Sequence, residues 1–431
     1  MDKHTDFNRL ENSELNNYYM RLEERYENIK NEKMKLDMSR GKPCPEQLDL
    51  SMDMLDILGS DDLLKAEDGS DCRNYGGIDG IPEAKELFSK ILEVDASEIV
   101  IGGNSSLTMM HDTIARAMLH GVPGGSGPWG KRPAVKFLCP SPGYDRHFAI
   151  CELLNIEMII VDMQENGPDM DRIEKLAGED EAIKGIWCVP KYSNPDGITY
   201  SDGTVGRLAA MQTKAADFRI FWDDAYTVHH LNEPDRLKNI LAACKKAGNP
   251  DRVYMFSSTS KITFPGSGVA VMAASVDNLD AMRKQLSVQS IGPDKINQLR
   301  HVRFLKDMDQ LNSHMKRHAA IIKPKFDKVL ETLESELGGK KIADWKKPNG
   351  GYFISLNTLD GCAEDVVRMA AEAGVTLTKA GATFPYGKDP RNRNIRIAPT
   401  FPTLKELETA IEILCLCIQL VSIKAILGTN K

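Results

Sequence analysis

The sequence predicts an α/β fold, with a mainly parallel central sheet flanked by helices and a smaller α+β domain. Three observations carry this. The chain is 431 residues long, too long for one ordinary core. Between about residues 99 and 275, short apolar, β-branched runs alternate with helical or loop stretches. After residue 275 the texture changes to long helical segments and glycine-punctuated strands.

Strands are expected at 134–139, 157–161, 183–189, 218–222, 253–256 and 269–273, each a run of four to seven mostly apolar residues. Intervening stretches suit the crossovers that parallel strands require, most clearly helices at 104–119 and 205–216. Upstream, 13–36 reads as a polar helix, a surface or partner-facing arm, and 51–65 and 82–93 as short helices, the last started by Pro82. The stretch 122–133 is a Gly/Pro-rich loop without a phosphate-binding glycine fingerprint. Downstream come a helical region at 276–336, a glycine turn at Gly350-Gly351 feeding a strand, a helix near 363–374, strands at 375–379 and 394–398, and a terminal helix from 402. The expected division is 1–70 as an arm with part of the small domain, 71–300 as the large domain and 301–431 as the small domain.

The net charge of -7 argues against a nucleic-acid binder, which usually shows a basic face. Nine cysteines lie scattered without metal-ligand spacing, so no metal site is expected, and a reducing compartment is. The first residues lack an apolar signal core and no membrane span is evident, which makes the cytoplasm the expected location.

Sheet enzymes place ligands beyond the carboxyl ends of strands. Four such ends carry polar residues of complementary kinds. Ile101-Gly102-Gly103-Asn104-Ser105-Ser106 breaks through glycines into a helix, where hydroxyls and free amides form either an anion site or a plain N-cap. In 189–197, Asn194-Pro195 offers an amide donor or simply a turn. Trp222-Asp223-Asp224-Ala225-Tyr226 ends an apolar strand on two acids, and one carboxylate facing inward can hold a cationic ring N–H. Ser258-Thr259-Ser260-Lys261 sets a lysine in a hydroxyl-rich loop, the place for an imine-forming amine. Each piece alone is weak; their order and spacing together are specific.

That ordered set resembles the fold-type I pyridoxal-phosphate aminotransferases, the aspartate aminotransferase-like (class I/II) branch, over roughly residues 70–400. The strongest pieces are D-x-A-Y at 223–226 and S-x-x-K at 258–261. The resemblance implies that Lys261 forms the Schiff base with pyridoxal 5'-phosphate and moves the proton in catalysis. It implies that Asp223 pairs with the ring nitrogen and that Asn194 and Tyr226 contact the phenolic oxygen. Ser105, Ser106 and Ser258 then bind the phosphate, and Tyr144 stacks on the ring. Arg396 clamps the substrate α-carboxylate, with Asn194 beside it, and Tyr75 reaches the phosphate of a neighbouring subunit, making the enzyme a homodimer with shared active sites.

The implied reaction is transamination between an L-amino acid, with aspartate or glutamate favoured, and a 2-oxo acid such as 2-oxoglutarate. A second cation for a dicarboxylate has Arg146, Lys191, Arg303 and Lys42 as candidates, and His147 stands beside Tyr144 as a supporting residue or a packed one. Relatives commonly carry an arginine a few residues past the lysine; here 262–268 holds no basic residue. A lyase or decarboxylase using the same lysine, and a cofactor-sensing regulatory domain, are the rival readings. The latter lacks any preceding basic or helix-turn-helix segment.

Overall fold

The computed structural model describes residues 5–429. Its large sheet has eight strands, numbered along the chain: β1 (Ile99–Ile101), β2 (Lys136–Ser141), β3 (Glu157–Gln164), β4 (Gly167–Pro168), β5 (Ile183–Cys188), β6 (Arg219–Asp223), β7 (Val253–Ser258) and β8 (Ala270–Ala273). In space they run β1-β8-β7-β6-β5-β2-β3-β4. The central pairs β2–β3, β2–β5, β5–β6 and β6–β7 are parallel. Strand β8 lies antiparallel to both its neighbours, and β4 antiparallel to β3. The predicted strands are all present, most shifted by one to three residues at an end.

Strands β5 and β6 are buried along their whole length, because helices cover both faces of the sheet. Side chains alternate between those faces. Ile186, Cys188, Ile220 and Trp222 pack with Val205 and Leu208 of the helix Asp202–Ala210. Trp187 and Phe221 pack on the other face with Met109, Met110 and Ile114 of the helix Ser106–His120. Asp223, two residues beyond Phe221, therefore points to the face on which the Ser106–His120 helix begins. Strands β5, β6 and β7 run parallel, and β1 runs the same way because β8 lies antiparallel to both β1 and β7, so the ends of these strands share one edge, which is what gathers the four polar strand ends.

Outside the large sheet several expectations change. The 51–65 segment is not a helix beyond a short 3₁₀ turn at Met52–Leu55. Gly59, Ser60, Asp61 and Asp62 follow it, and the Asp62 carboxylate accepts the Gly59 N–H at 2.7 Å, diverting the backbone into a turn. The 276–336 region is three helices, Val276–Gln289, Lys295–Leu305 and Met308–Leu337. Asp294 and Asp307 start the second and third by accepting the N–H of Asn297 and Gln310, each at 2.9 Å.

The small domain is built on an antiparallel sheet of Ala343–Trp345, Ile354–Thr358 and Asn394–Ile397. The 375–379 strand shortens to Val375–Thr376, paired in parallel with Leu36–Asp37. The terminal helix Leu404–Thr429 is long and apolar enough to cross a membrane, but 72% of its most apolar window is buried in this domain's core. The helix Asn12–Asn31 is not a free arm. It buries Leu15, Leu22 and Tyr26 in the same core, and Tyr18 donates to Gln419 at 3.0 Å. The Gly350-Gly351 turn admits nothing larger: a Cβ on Gly350 would meet the His229 carbonyl at 2.4 Å, and Gly351 sits at φ +81°. That turn delivers Tyr352 and Phe353 to the boundary with the large sheet.

Candidate active site

A cavity of about 640 Å³ opens at the edge where the four strand ends meet. Of the residues singled out in the sequence, Ser105, Ser106, Tyr144, Asn194, Asp223, Tyr226, Ser258, Lys261 and Arg396 line it. Tyr75 does not. It is 83% exposed on a loop elsewhere, where the Lys295 ammonium donates to the carbonyls of Asn74 and Gly76 on either side of it, each at 2.7 Å.

Asp223 sits at the end of β6, almost fully buried. Its Oδ2 lies 3.0 Å from His147 Nε2, and its Oδ1 has no partner. His147 is fixed in turn by stacking on Trp187 of β5, ring centroids 4.1 Å apart and 5° from parallel. The Tyr144 ring meets the His147 ring edge-on at 4.9 Å, which follows from their spacing across the start of the helix Asp145–Leu153. Burial pushes the Tyr144 phenol up to about 12, so it stays protonated.

Lys261 is half-buried, and its amine is shifted down from the ordinary lysine range by desolvation, with Asp223 acting in the opposite sense. A lysine so placed can present a neutral nucleophilic amine. Its Nζ lies 5.1 Å from the centroid of Tyr226 and 5.7 Å from that of Tyr352. Tyr352 comes from the glycine turn and was not singled out in the sequence, where it reads as one more apolar strand residue.

Ser105 caps the helix Ser106–His120 without spending its hydroxyl on the helix, which leaves the hydroxyl and leading amides for a ligand. Ser258 and Ser260 are joined by a 3.1 Å hydrogen bond, and Ser260 adds a pocket-lining hydroxyl beyond those expected. The loop after Lys261 is fixed from behind, by Asn297 donating to the carbonyls of Ser267 and Gly268 at 2.9 and 3.0 Å. No basic residue of 262–268 exists to enter the pocket.

Arg396 arrives from the small domain. It donates through Nη1 to Asp145 at 3.0 Å and Asn194 at 3.3 Å, and through Nη2 to Thr378 at 3.2 Å, and it lies 4.7 Å from the Phe353 ring centroid. Its buried Nε has no acceptor. Of the candidate second cations, Arg146 and Lys42 line the cavity, joined by Arg40, which the sequence reading missed. Lys191 instead donates to the Thr227 carbonyl at 3.0 Å, and Arg303 pairs with Asp62 at 3.4 Å; neither reaches the cavity.

The residues present fit pyridoxal phosphate on the structure's own terms. An unpartnered buried carboxylate oxygen suits a pyridinium N–H, a desolvated lysine faces the same cavity, and free hydroxyls stand at a helix N-terminus. Comparison with known proteins agrees. The family model for aspartate amino-transferase matches residues 10–430. A Mycolicibacterium smegmatis protein is 49% identical over 405 residues, covering 94% of this chain and 95% of its own. An aspartate aminotransferase of Corynebacterium glutamicum is 43% identical over 400 residues, with 93% and 92% covered. The crystal structure of an aspartate transaminase from Corynebacterium glutamicum superposes with a TM-score of 0.96 at 40% identity, covering 98% of this chain and 100% of that one. The chain belongs to the aspartate aminotransferase family of fold-type I enzymes, and it is a pyridoxal-phosphate-dependent transaminase that moves amino groups between amino acids and 2-oxo acids.

Proposed function

We propose that the amino donors are aspartate or glutamate, with 2-oxoglutarate as an acceptor. One observation carries this: Arg40, Lys42 and Arg146 line the same cavity as Arg396, and none has an acidic partner among the described residues. Lys42 rests on the Phe401 ring at 3.6 Å, and the two arginines are exposed at the cavity wall. A dicarboxylate offers one carboxylate to Arg396 and the other to this group. The Corynebacterium glutamicum aspartate aminotransferase supports the same substrate class.

In this reading Arg396 would use its spare Nε to grip the α-carboxylate, with Asn194 beside it, and so fix the orientation of the substrate Cα–H bond. Lys261 would hold the cofactor, and its freed amine would move the proton at the substrate Cα. The cofactor, when bound, supplies the electron sink for that proton transfer. Asp223 holds the proton on the ring nitrogen, and His147 orients Asp223. Asn194 and Tyr226 contact the phenolic oxygen, Tyr144 covers the ring face and excludes water, and Ser105, Ser106 and Ser258 take the phosphate.

The exposed Tyr75, on a loop pinned by Lys295, serves the phosphate of a second copy in a homodimer. The working division remains 1–70, 71–300 and 301–431, in the cytoplasm. A donor panel with 2-oxo acid detection tests the substrate class. Aspartate and glutamate should exceed phenylalanine and alanine in kcat/KM by about 10- to 100-fold, the worth of one charged contact. Equal use of all four would refute it.

A further inference from the structure

Lys261 is held at both ends. At its backbone, His229 Nε2 lies 3.3 Å from the Lys261 carbonyl, and His314 Nε2 and His318 Nε2 lie 2.7 and 3.0 Å from the Ile262 carbonyl. At its head, the amine faces the rings of Tyr226 and Tyr352, which stack on each other at 5.9 Å and 24°.

The two ends are connected. Burial keeps His318 neutral and the Gln47 amide N–H faces its Nδ1, so Nδ1 accepts and the His318 proton sits on Nε2, facing the Ile262 carbonyl and the His314 ring 3.1 Å away. The Gln47 amide nitrogen lies 3.0 Å from that Nδ1 and 3.0 Å from the Tyr352 hydroxyl, dividing its two N–H bonds between them. Its carbonyl oxygen accepts the Cys44 N–H at 3.2 Å. Gln47 is wholly buried, so no water competes for these bonds. A continuous chain thus runs from the Ile262 carbonyl through His318 and Gln47 to Tyr352.

Burial disfavours an ammonium at this position, whereas two aromatic faces within about 6 Å favour it. The groups facing the amine are Asp223, which is acidic, the phenols of Tyr226 and Tyr352, which burial keeps protonated, and His229, which burial keeps neutral. A transaminase lysine must leave the cofactor and wait as a free amine between proton transfers. We propose that Tyr352 is a positioning residue for that amine, forming with Tyr226 an aromatic seat for its protonated form, and that the Gln47–His318 chain sets the seat relative to the lysine's own backbone. This rests on Lys261 being the amine that carries the cofactor.

The test uses the full-length protein freed of cofactor. Reductive methylation of Lys261 is followed against pH by peptide mass spectrometry in the wild type, Tyr352→Phe, Tyr352→Leu and Gln47→Leu. Losing the ring should lower the midpoint of the titration, raising the methylation rate about tenfold at a fixed pH below that midpoint. Tyr352→Phe should stay within about twofold of wild type, because the ring face remains. A rate gain equal at every pH would report easier access alone and would overturn the proposal, as would an unchanged midpoint in a folded Tyr352→Leu. Tyr352→Met serves the same comparison if the leucine variant does not fold. In the holoenzyme, Tyr352→Leu should slow the single-turnover reaction with amino acid about tenfold while half-saturation stays within about twofold. A Lys261→Ala protein that keeps the wild-type cofactor absorbance would overturn the assignment of Lys261 itself. An unmoved midpoint with that absorbance lost overturns only the seat.

Discussion

His147 Nε2 lies 3.0 Å from Asp223 Oδ2, while the other oxygen of the same buried carboxylate has no partner. The pair divides the labour of one carboxylate: one oxygen fixes the side chain, and the other is left for a ring N–H. Asp223→Asn should therefore retain shape and lose the charge-assisted bond, worth about 1.5–3 kcal/mol, or roughly 10- to 100-fold in the proton-transfer step. Single-turnover kinetics with amino acid would read it. His147→Leu should give a smaller loss, since Trp187 packing still shapes the site; a loss equal to that of Asp223→Asn would contradict the orienting role.

Lys261→Ala should abolish the lysine-linked absorbance of the cofactor and reduce turnover by about 10²–10⁴-fold, the span of a positioned acid–base group. Cofactor should still be retained through Asp223 and the serine hydroxyls, so equilibrium dialysis of the variant separates binding from chemistry. Release of the cofactor together with turnover would mean that the imine, and not the pocket, holds it.

How much of this was legible in the sequence follows from how far each contact reaches. Asp223, Asn194 and Lys261 sit at strand ends, so an apolar run followed by a polar residue marks them. His147 was half visible, being one helical turn past Tyr144. Gln47 touches His318 across 271 residues and Tyr352 across 305, and no local pattern records such pairings. Arg40 was missed for the same reason: its segment reaches the cavity only because Leu36–Asp37 pairs with Val375–Thr376. The 51–65 helix failed at a different level, since helical spacing of apolar residues was outweighed by an Asp/Ser/Gly turn.

Arg396 makes four contacts with one guanidinium, to Asp145, Asn194, Thr378 and the Phe353 ring. A lysine cannot reproduce that fork. Arg396→Lys should lower kcat/KM for every amino acid by about 10²–10³-fold, as expected when a buried charged pairing is broken. Arg146→Leu or Arg40→Leu should affect only acidic substrates, raising KM for aspartate about 10-fold and leaving alanine within about twofold. The contrast between a uniform and a selective loss, read from steady-state kinetics, separates the two carboxylate sites.

Acid stability tests the histidines behind Lys261. Burial lowers His318 to about 3 and His230 and His301 to about 4, and shifts His229 and His314 down as well. Unfolded, each titrates near 6.5, so below that pH the unfolded chain binds protons that the folded protein refuses. Stability from these groups is therefore complete above about pH 6.5 and falls as pH drops toward their folded values. Two buried acids oppose this. Asp196 and Asp224, raised to about 6, contribute stability at low pH that is lost as pH rises through that value. Five histidines against two acids leave acidification destabilising overall. The His318 share is isolated by His318→Asn: its stability cost at pH 8, measured by denaturant unfolding, should shrink steadily between about pH 6.5 and 4, because the wild type loses what the variant never had. A cost independent of pH across that window would show that His318 is already protonated in the folded protein, which would also break its Nδ1 acceptor bond to Gln47.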